Sequence, residues 1–217
     1  MKISTSILNA ENRIECLKKL NNTDTDYIHI DVMDGKFVSD TQFNNIKEIN
    51  AINIISKYKL DIHLMVENPI EYIEQFNNMN IEYITFHVEV KKNINEIISK
   101  IKEKGYKIGL SIKPNTNIKE LIPYLKNIDL ILVMSVEPGK GGQEFLPNTI
   151  ERINKIKELI TKNNNDIQIE VDGGINDKNI YQLGNIDIAV VGSYIIKSND
   201  YSNQIKKLIQ QKNNPNN

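Results

Sequence analysis

Eight short runs rich in β-branched and apolar residues recur along the whole chain, with longer stretches of helical spacing between them. The runs are KISTSIL (2–8), YIHID (27–31), LDIHL (60–64), YITFH (83–87), KIGLS (107–111), LILVM (130–134), IQIEV (167–171) and IAVV (188–191). Between them, Ile14, Leu17, Lys18 and Leu20 form one stripe; Ile94, Ile97, Ile98 and Ile101 form a second, and Ile150, Ile153, Ile156, Leu159 and Ile160 a third. Pro69 after Asn68, Pro114 before Asn115 and Pro147 before Asn148 mark helix openings. Strand then helix, repeated with no hairpin signal between strands, calls for a parallel sheet, because parallel neighbours need a crossover long enough to hold a helix. Eight such units in 217 residues predict a single-domain (β/α)8 TIM barrel over 1–209, with an open doubly wound sheet as the alternative. The polar end, QQKNNPNN (210–217), reads as a frayed tail.

Charge excludes several functions. Lysines and arginines number 27 against 28 acids, a net charge of −1, so no basic field draws the chain to nucleic acid or to an anionic membrane. The many lysines read as solvated faces. A single cysteine, Cys16, excludes an internal disulfide and a CxxC metal knuckle, and fits a reducing, cytoplasmic setting. No apolar run approaches the roughly 20 residues of a membrane span, and MKISTSILNA lacks a signal-peptide core.

In a barrel of this kind, chemistry belongs to the carboxyl ends of the strands. All three histidines fall there: His29 with Asp31, His63, and His87; Asp172 follows the seventh run. Residues two apart on a strand share a face, so His29 and Asp31 point together and Ile28 and Ile30 point the other way. Isoleucines suit the helix-facing side, which turns the histidine and the carboxylate into the mouth. The same parity pairs His63 with Met65 and Asp172 with Glu170. Carboxylates gathered out of water repel one another and lose solvation. A divalent metal resolves this, and two imidazoles with two carboxylates (His29, Asp31, His63, Asp172) match zinc, with iron(II), manganese or cobalt also suited. His87, one strand further round, is expected to serve the core or to back a ligand.

Three glycine-rich turns follow the last strands: VEPGKGGQEF (136–145), DGGIN (172–176) and VGSYI (191–195). Backbone amides in such turns can converge on an oxyanion, and the loops after the seventh and eighth strands are the usual phosphate site of these barrels. Met33, Met65 and Met134 sit at strand ends, either filling the core or roofing the site.

HIDVMDGKFV, DIHLMVENP, ITFHVE, LVMSVEPGKGGQ, IEVDGGIN and VVGS resemble, in order, the signature segments of the ribulose-phosphate 3-epimerase family, from about residue 3 to 196. The resemblance implies a homo-oligomeric barrel with one divalent metal per subunit. It would interconvert D-ribulose 5-phosphate and D-xylulose 5-phosphate, in the pentose phosphate pathway, through a metal-stabilised enediolate. Carried over by position, His29, Asp31, His63 and Asp172 match the metal ligands, and Asp31 and Asp172 the two acid/base carboxylates. Ser6 and His63, the loop Gly139, Lys140, Gly141 and Gly142, then Asp172, Gly173, Gly174, Gly192 and Ser193 match substrate and phosphate contacts. Met33, Met65 and Met134 match residues that line the site. Inversion at C3 needs proton transfer on both faces; we assign Asp31 as base and Asp172 as acid, exchanging roles in reverse. Lys140 stands where the family carries an aromatic residue, and SDTQFNN (39–45) departs from its usual stretch. A six-carbon ketose phosphate such as allulose 6-phosphate is the alternative substrate, and a non-catalytic sugar-phosphate binding barrel the alternative class.

Overall fold

A computed structural model describes residues 1–163 and 166–213. The strands are β1 (Lys2–Ser6), β2 (Tyr27–Asp34), β3 (Thr41–Gln42), β4 (Lys59–Met65), β5 (Ile81–His87), β6 (Lys107–Ile112), β7 (Leu130–Met134), β8 (Gln168–Asp172) and β9 (Ile188–Val191). All but β3 pair in parallel in chain order, and β9 closes on β1. The helices outside are α1 (Arg13–Leu20), α2 (Ile46–Ile55), α3 (Pro69–Ile73), α4 (Ile94–Glu103), α5 (Thr149–Lys162), α6 (Ser193–Ile196) and α7 (Tyr201–Asn213). The architecture is a (β/α)8 TIM barrel in a single domain.

The alternation built this arrangement. Ile28, Ile30, Ile62 and Leu64 are fully buried in the layer between strands and helices, where Leu17 and Leu20 of α1 also lie. Each such side chain contributes about 1.5–3 kcal/mol by leaving water. In α4 the expected stripe, Ile94, Ile97, Ile98 and Ile101, is the buried face, and the Asn93 side chain caps the helix by accepting from Asn95 N. Inside the barrel, a separate apolar group of Tyr27, Tyr83, Leu130, Leu132 and Ile188 fills one part of the interior. Buried polar side chains, among them Ser4, His29, Asp61, Thr85 and Glu170, occupy another.

Four local expectations are corrected. A hairpin does occur: β2 runs on to Asp34, turns at Gly35 (φ +73), and pairs antiparallel with β3. Asp34-Gly35 is itself a turn signal, and Asp34 Oδ1 accepts from Lys36 N and Phe37 N at 2.8 and 2.9 Å. The crossovers after β6 and β8 are 3-10 helices, Ile118–Tyr124 and Ile180–Leu183, rather than α-helices. Pro123 interrupts the first, since it lacks an N–H, and Gly184 (φ +59) ends the second. The first is capped by Asn117, with Pro114 in the preceding turn. Lys18 lies on the solvent face of α1, paired with Glu15 at 2.8 Å, while Cys16 takes the buried place. The last helix continues through 210–213, so that part of the segment read as a frayed tail is helical; 214–217 lie outside the described residues.

Candidate active site

Hydrogen-bonding register sets β2 beside β4 with Asp31 opposite His63, and β8 ends at Asp172. One ligand atom each from His29, Asp31, His63 and Asp172 falls within 4.8 Å of the others. His29 Nε2 lies 3.3 Å from Asp31 Oδ1; His63 Nδ1 lies 3.3 Å from the same oxygen and 3.9 Å from Asp172 Oδ2. Ser6 Oγ donates to the other Asp31 oxygen at 2.8 Å. The far side of each imidazole is also engaged. His29 Nδ1 meets Asp61 Oδ2 at 2.6 Å, and His63 Nε2 meets His87 Nε2 at 2.9 Å.

Burial and mutual charge shape these groups. Burial would raise Asp31, but His29 and His63 hold its carboxyl far below the usual range. Burial and then the Asp31 charge push Asp172 up to about 6. Burial favours a neutral His29, yet Asp61 and Asp31 outweigh it and hold the ring well above its ordinary value. Burial takes His87 down to about 4. The chemistry of this donor set fits a divalent cation. His29 Nε2 is a buried nitrogen with no hydrogen-bond partner, and it shares the cluster with the Asp31 and Asp172 carboxylates. A second acidic grouping, His29, Asp61 and Glu170, lies deeper in the barrel. There His29 Nδ1 is already taken by Asp61, which also accepts from Ser4 Oγ at 2.7 Å.

A cavity of about 340 Å³ opens above the cluster. Asp31, Asp172, Ser6, Met33, Met65 and Met134 line it. So do Gly139, Lys140, Gly141 and Gly142 from the loop after β7, Gly173 and Gly174 after β8, and Gly192 and Ser193 after β9. His63, expected among the substrate contacts, is fully buried and outside the lining: it and His29 stand behind the carboxylates. Lys140 is exposed and also lines the cavity. Gly174 holds φ +65, and a Cβ there would lie 2.5 Å from Phe145 N; a Cβ on Gly141 would lie 2.2 Å from Asn9 Nδ2. Both glycines let the loops close over one another. The wall also includes Asn9 and Lys197, which the sequence reading passed over, and Asn176 and Tyr194 from the turns it singled out. Asn9 Nδ2 donates to Ser193 Oγ at 2.9 Å, joining the ends of β1 and β9. Lys197 follows Ser193 by one helical turn, a spacing that was available in the sequence.

Comparison with known proteins agrees with this geometry. The model of the ribulose-phosphate 3-epimerase family matches residues 2–196. The chain belongs to that family. Among proteins carrying the family's name, that of Helicobacter pylori (strain J99) is 37% identical over 203 residues, 92% of this chain and 93% of its own. That of Chlamydia pneumoniae is also 37% identical, over 95% of this chain and 93% of its own. That of Methanocaldococcus jannaschii is 34% identical, over 96% and 89%. Solved structures share the fold at lower identity. The 3-hexulose-6-phosphate synthase of Salmonella typhimurium has a TM-score of 0.62 at 20% identity, covering 98% of both chains. The orotidine 5'-phosphate decarboxylase of Pyrococcus horikoshii has 0.68 at 12%, covering 97% and 99%. Among the described residues, no helix is long and apolar enough to cross a membrane.

Proposed function

We propose that this chain is a metal-dependent epimerase that interconverts D-ribulose 5-phosphate and D-xylulose 5-phosphate in the pentose phosphate pathway. The observation that carries the reading is the placement of two carboxylates in one cavity. Asp31 on β2 and Asp172 on β8 both line it and are separated around the barrel by β1 and β9, with two histidines behind them.

Epimerisation removes the C3 proton and returns one to the opposite face. A single base would only give back the starting isomer. Asp31 on one side is suited to take the proton and Asp172 on the other to deliver one. In the reverse direction the roles exchange. Ser6 fixes the Asp31 carboxylate by its hydrogen bond. Gly173, Gly174, Gly192 and Ser193 would receive the phosphate, and so hold C3 between the carboxylates. Met33, Met65 and Met134 exclude water around the reacting carbon. His29, Asp31, His63 and Asp172 would hold one divalent ion, zinc first, with iron(II), manganese or cobalt as substitutes. When bound, it would supply Lewis acidity at the C2 and C3 oxygens.

Proton NMR of D-ribulose 5-phosphate with the purified protein in D2O tests this, run as isolated, after chelation, and after metal is restored. We expect xylulose 5-phosphate carrying deuterium at C3, lost on chelation and regained with metal. Absence of both exchange and product with every metal would overturn the reading, and allulose 6-phosphate would be tried next.

A further inference from the structure

Each histidine of the cluster turns one ring nitrogen inward and has the other occupied from outside the cavity. On β2, His29 Nδ1 meets Asp61 Oδ2 at 2.6 Å, and that oxygen is fixed by Ser4 Oγ at 2.7 Å. Asp61 is fully buried and lies two residues before His63 on β4, so one strand supplies a ligand to the cluster and a partner to the neighbouring ligand. On the other side, His63 Nε2 meets His87 Nε2 at 2.9 Å, and His87 Nδ1 meets Glu89 Oε2 at 3.1 Å. The second Glu89 oxygen accepts from Lys113 N at 2.8 Å, and the Phe37 ring packs on His87 with centroids 4.8 Å apart. A carboxylate can only accept. Asp61 therefore requires the N–H of His29 at Nδ1, which leaves Nε2 for the cluster. By the same reasoning Glu89 requires the His87 proton at Nδ1. His87 Nε2 must then accept, so His63 must donate from Nε2 and keep Nδ1 inward.

We propose that Asp61 and Glu89 are positioning residues for the metal centre: they dictate, directly and through His87, which ring nitrogen His29 and His63 present to the ion. This rests on the reading of the cluster as a metal site. It gives a role to two carboxylates that do not line the cavity, the fully buried Asp61 and the partly exposed Glu89. An outer-shell carboxylate of this kind is worth roughly 10–100-fold in metal affinity.

The test uses the full chain with Co(II) and Zn(II) alone. Chelator-competition titrations give affinity, and the visible Co(II) spectrum reports ligand geometry. Asp61→Ala should weaken affinity about 10–100-fold and alter the Co(II) bands, whereas Asp61→Asn, which keeps an acceptor oxygen, should recover part of the loss. Glu89→Gln acts through one more residue, so we expect a loss below about tenfold. Should Asp61→Ala fail to fold, Asp61→Asn and Ser4→Ala carry the test, because each keeps most of the buried volume. A folded Asp61 variant set with wild-type affinity and an unchanged Co(II) spectrum would overturn the proposal. Proton–nitrogen NMR of the three histidine rings separates this failure from failure of the metal reading. In metal-free protein, wild-type His29 should show an exchange-protected Nδ1–H that Asp61→Ala lacks. If the wild type bound neither ion, the metal reading would fall, and the presence or absence of that proton signal would still decide the role of Asp61.

Discussion

The two faces of β2 and β4 differ completely although they alternate residue by residue. Outward, Ile28, Ile30, Ile62 and Leu64 pack among the helices; inward, Asp31 faces the cavity with His29 and His63 behind it and Asp61 deeper still. The outward face accumulates stability from area removed from water. The inward face runs the other way, because every buried charge there costs solvation that its partners only partly return. Adjacent positions on one strand thus separate the part that makes the barrel stand from the part that makes it act.

The largest test of that separation is Asp172→Asn. With metal occupancy verified as retained, losing the second proton donor should cut epimerisation by about 10²–10⁴-fold, while deuterium exchange from one face survives better; both are read in the same D2O spectra. Equal loss of the two would deny the carboxylates their separate roles. Next comes Ile30→Ala, one residue away from Asp31. It should cost about 2–5 kcal/mol in denaturant unfolding yet leave turnover per folded molecule close to wild type. A strong turnover defect in folded Ile30→Ala would show that the two faces are coupled.

A third test is thermodynamic. In chelated protein burial and the Asp31 charge push Asp172 up to about 6, above the ordinary carboxylate range, so the folded state binds that proton more tightly. Its contribution to stability therefore falls as pH rises through about 4 to 6 and stays lost above. Asp172→Asn removes this cost. Its stability relative to wild type in chelator should rise across that window by about 1–3 kcal/mol, and saturating zinc should erase or reverse the gain. A difference independent of pH would mean that neither burial nor the Asp31 charge raises Asp172. The smallest effect belongs to Lys140→Ala. An exposed charge at the cavity rim is worth about 1 kcal/mol or less, so KM should rise less than about fivefold, and less still at high salt.

Much of this was legible in sequence because alternation with period two is a local property. His29 and Asp31 against Ile28 and Ile30 needed nothing beyond the pleat of a strand. The same rule places Asp61 with His63, but a lone Asp beside a Lys-Leu pair carries no mark of burial, and its partner His29 lies 32 positions away. Asn9 was equally silent, since its meaning comes from Ser193 at the far end of the chain. The hairpin at Asp34-Gly35 was a signal in plain view, hidden by the expectation that β2 ends at Asp31. Pro123 likewise marked a crossover that could not be a regular helix.

By itself the sequence determined the strand and helix order, the parity of each strand and the residue types at the strand ends, because these follow from backbone geometry and hydrophobic spacing within a few neighbours. Only the tertiary structure decided that His63 stands behind the carboxylates rather than in the cavity wall, and which nitrogen each histidine turns inward. Those outcomes depend on barrel closure and on contacts between β1, β2, β4 and β5, where distances of a few ångströms separate a ligand from its support.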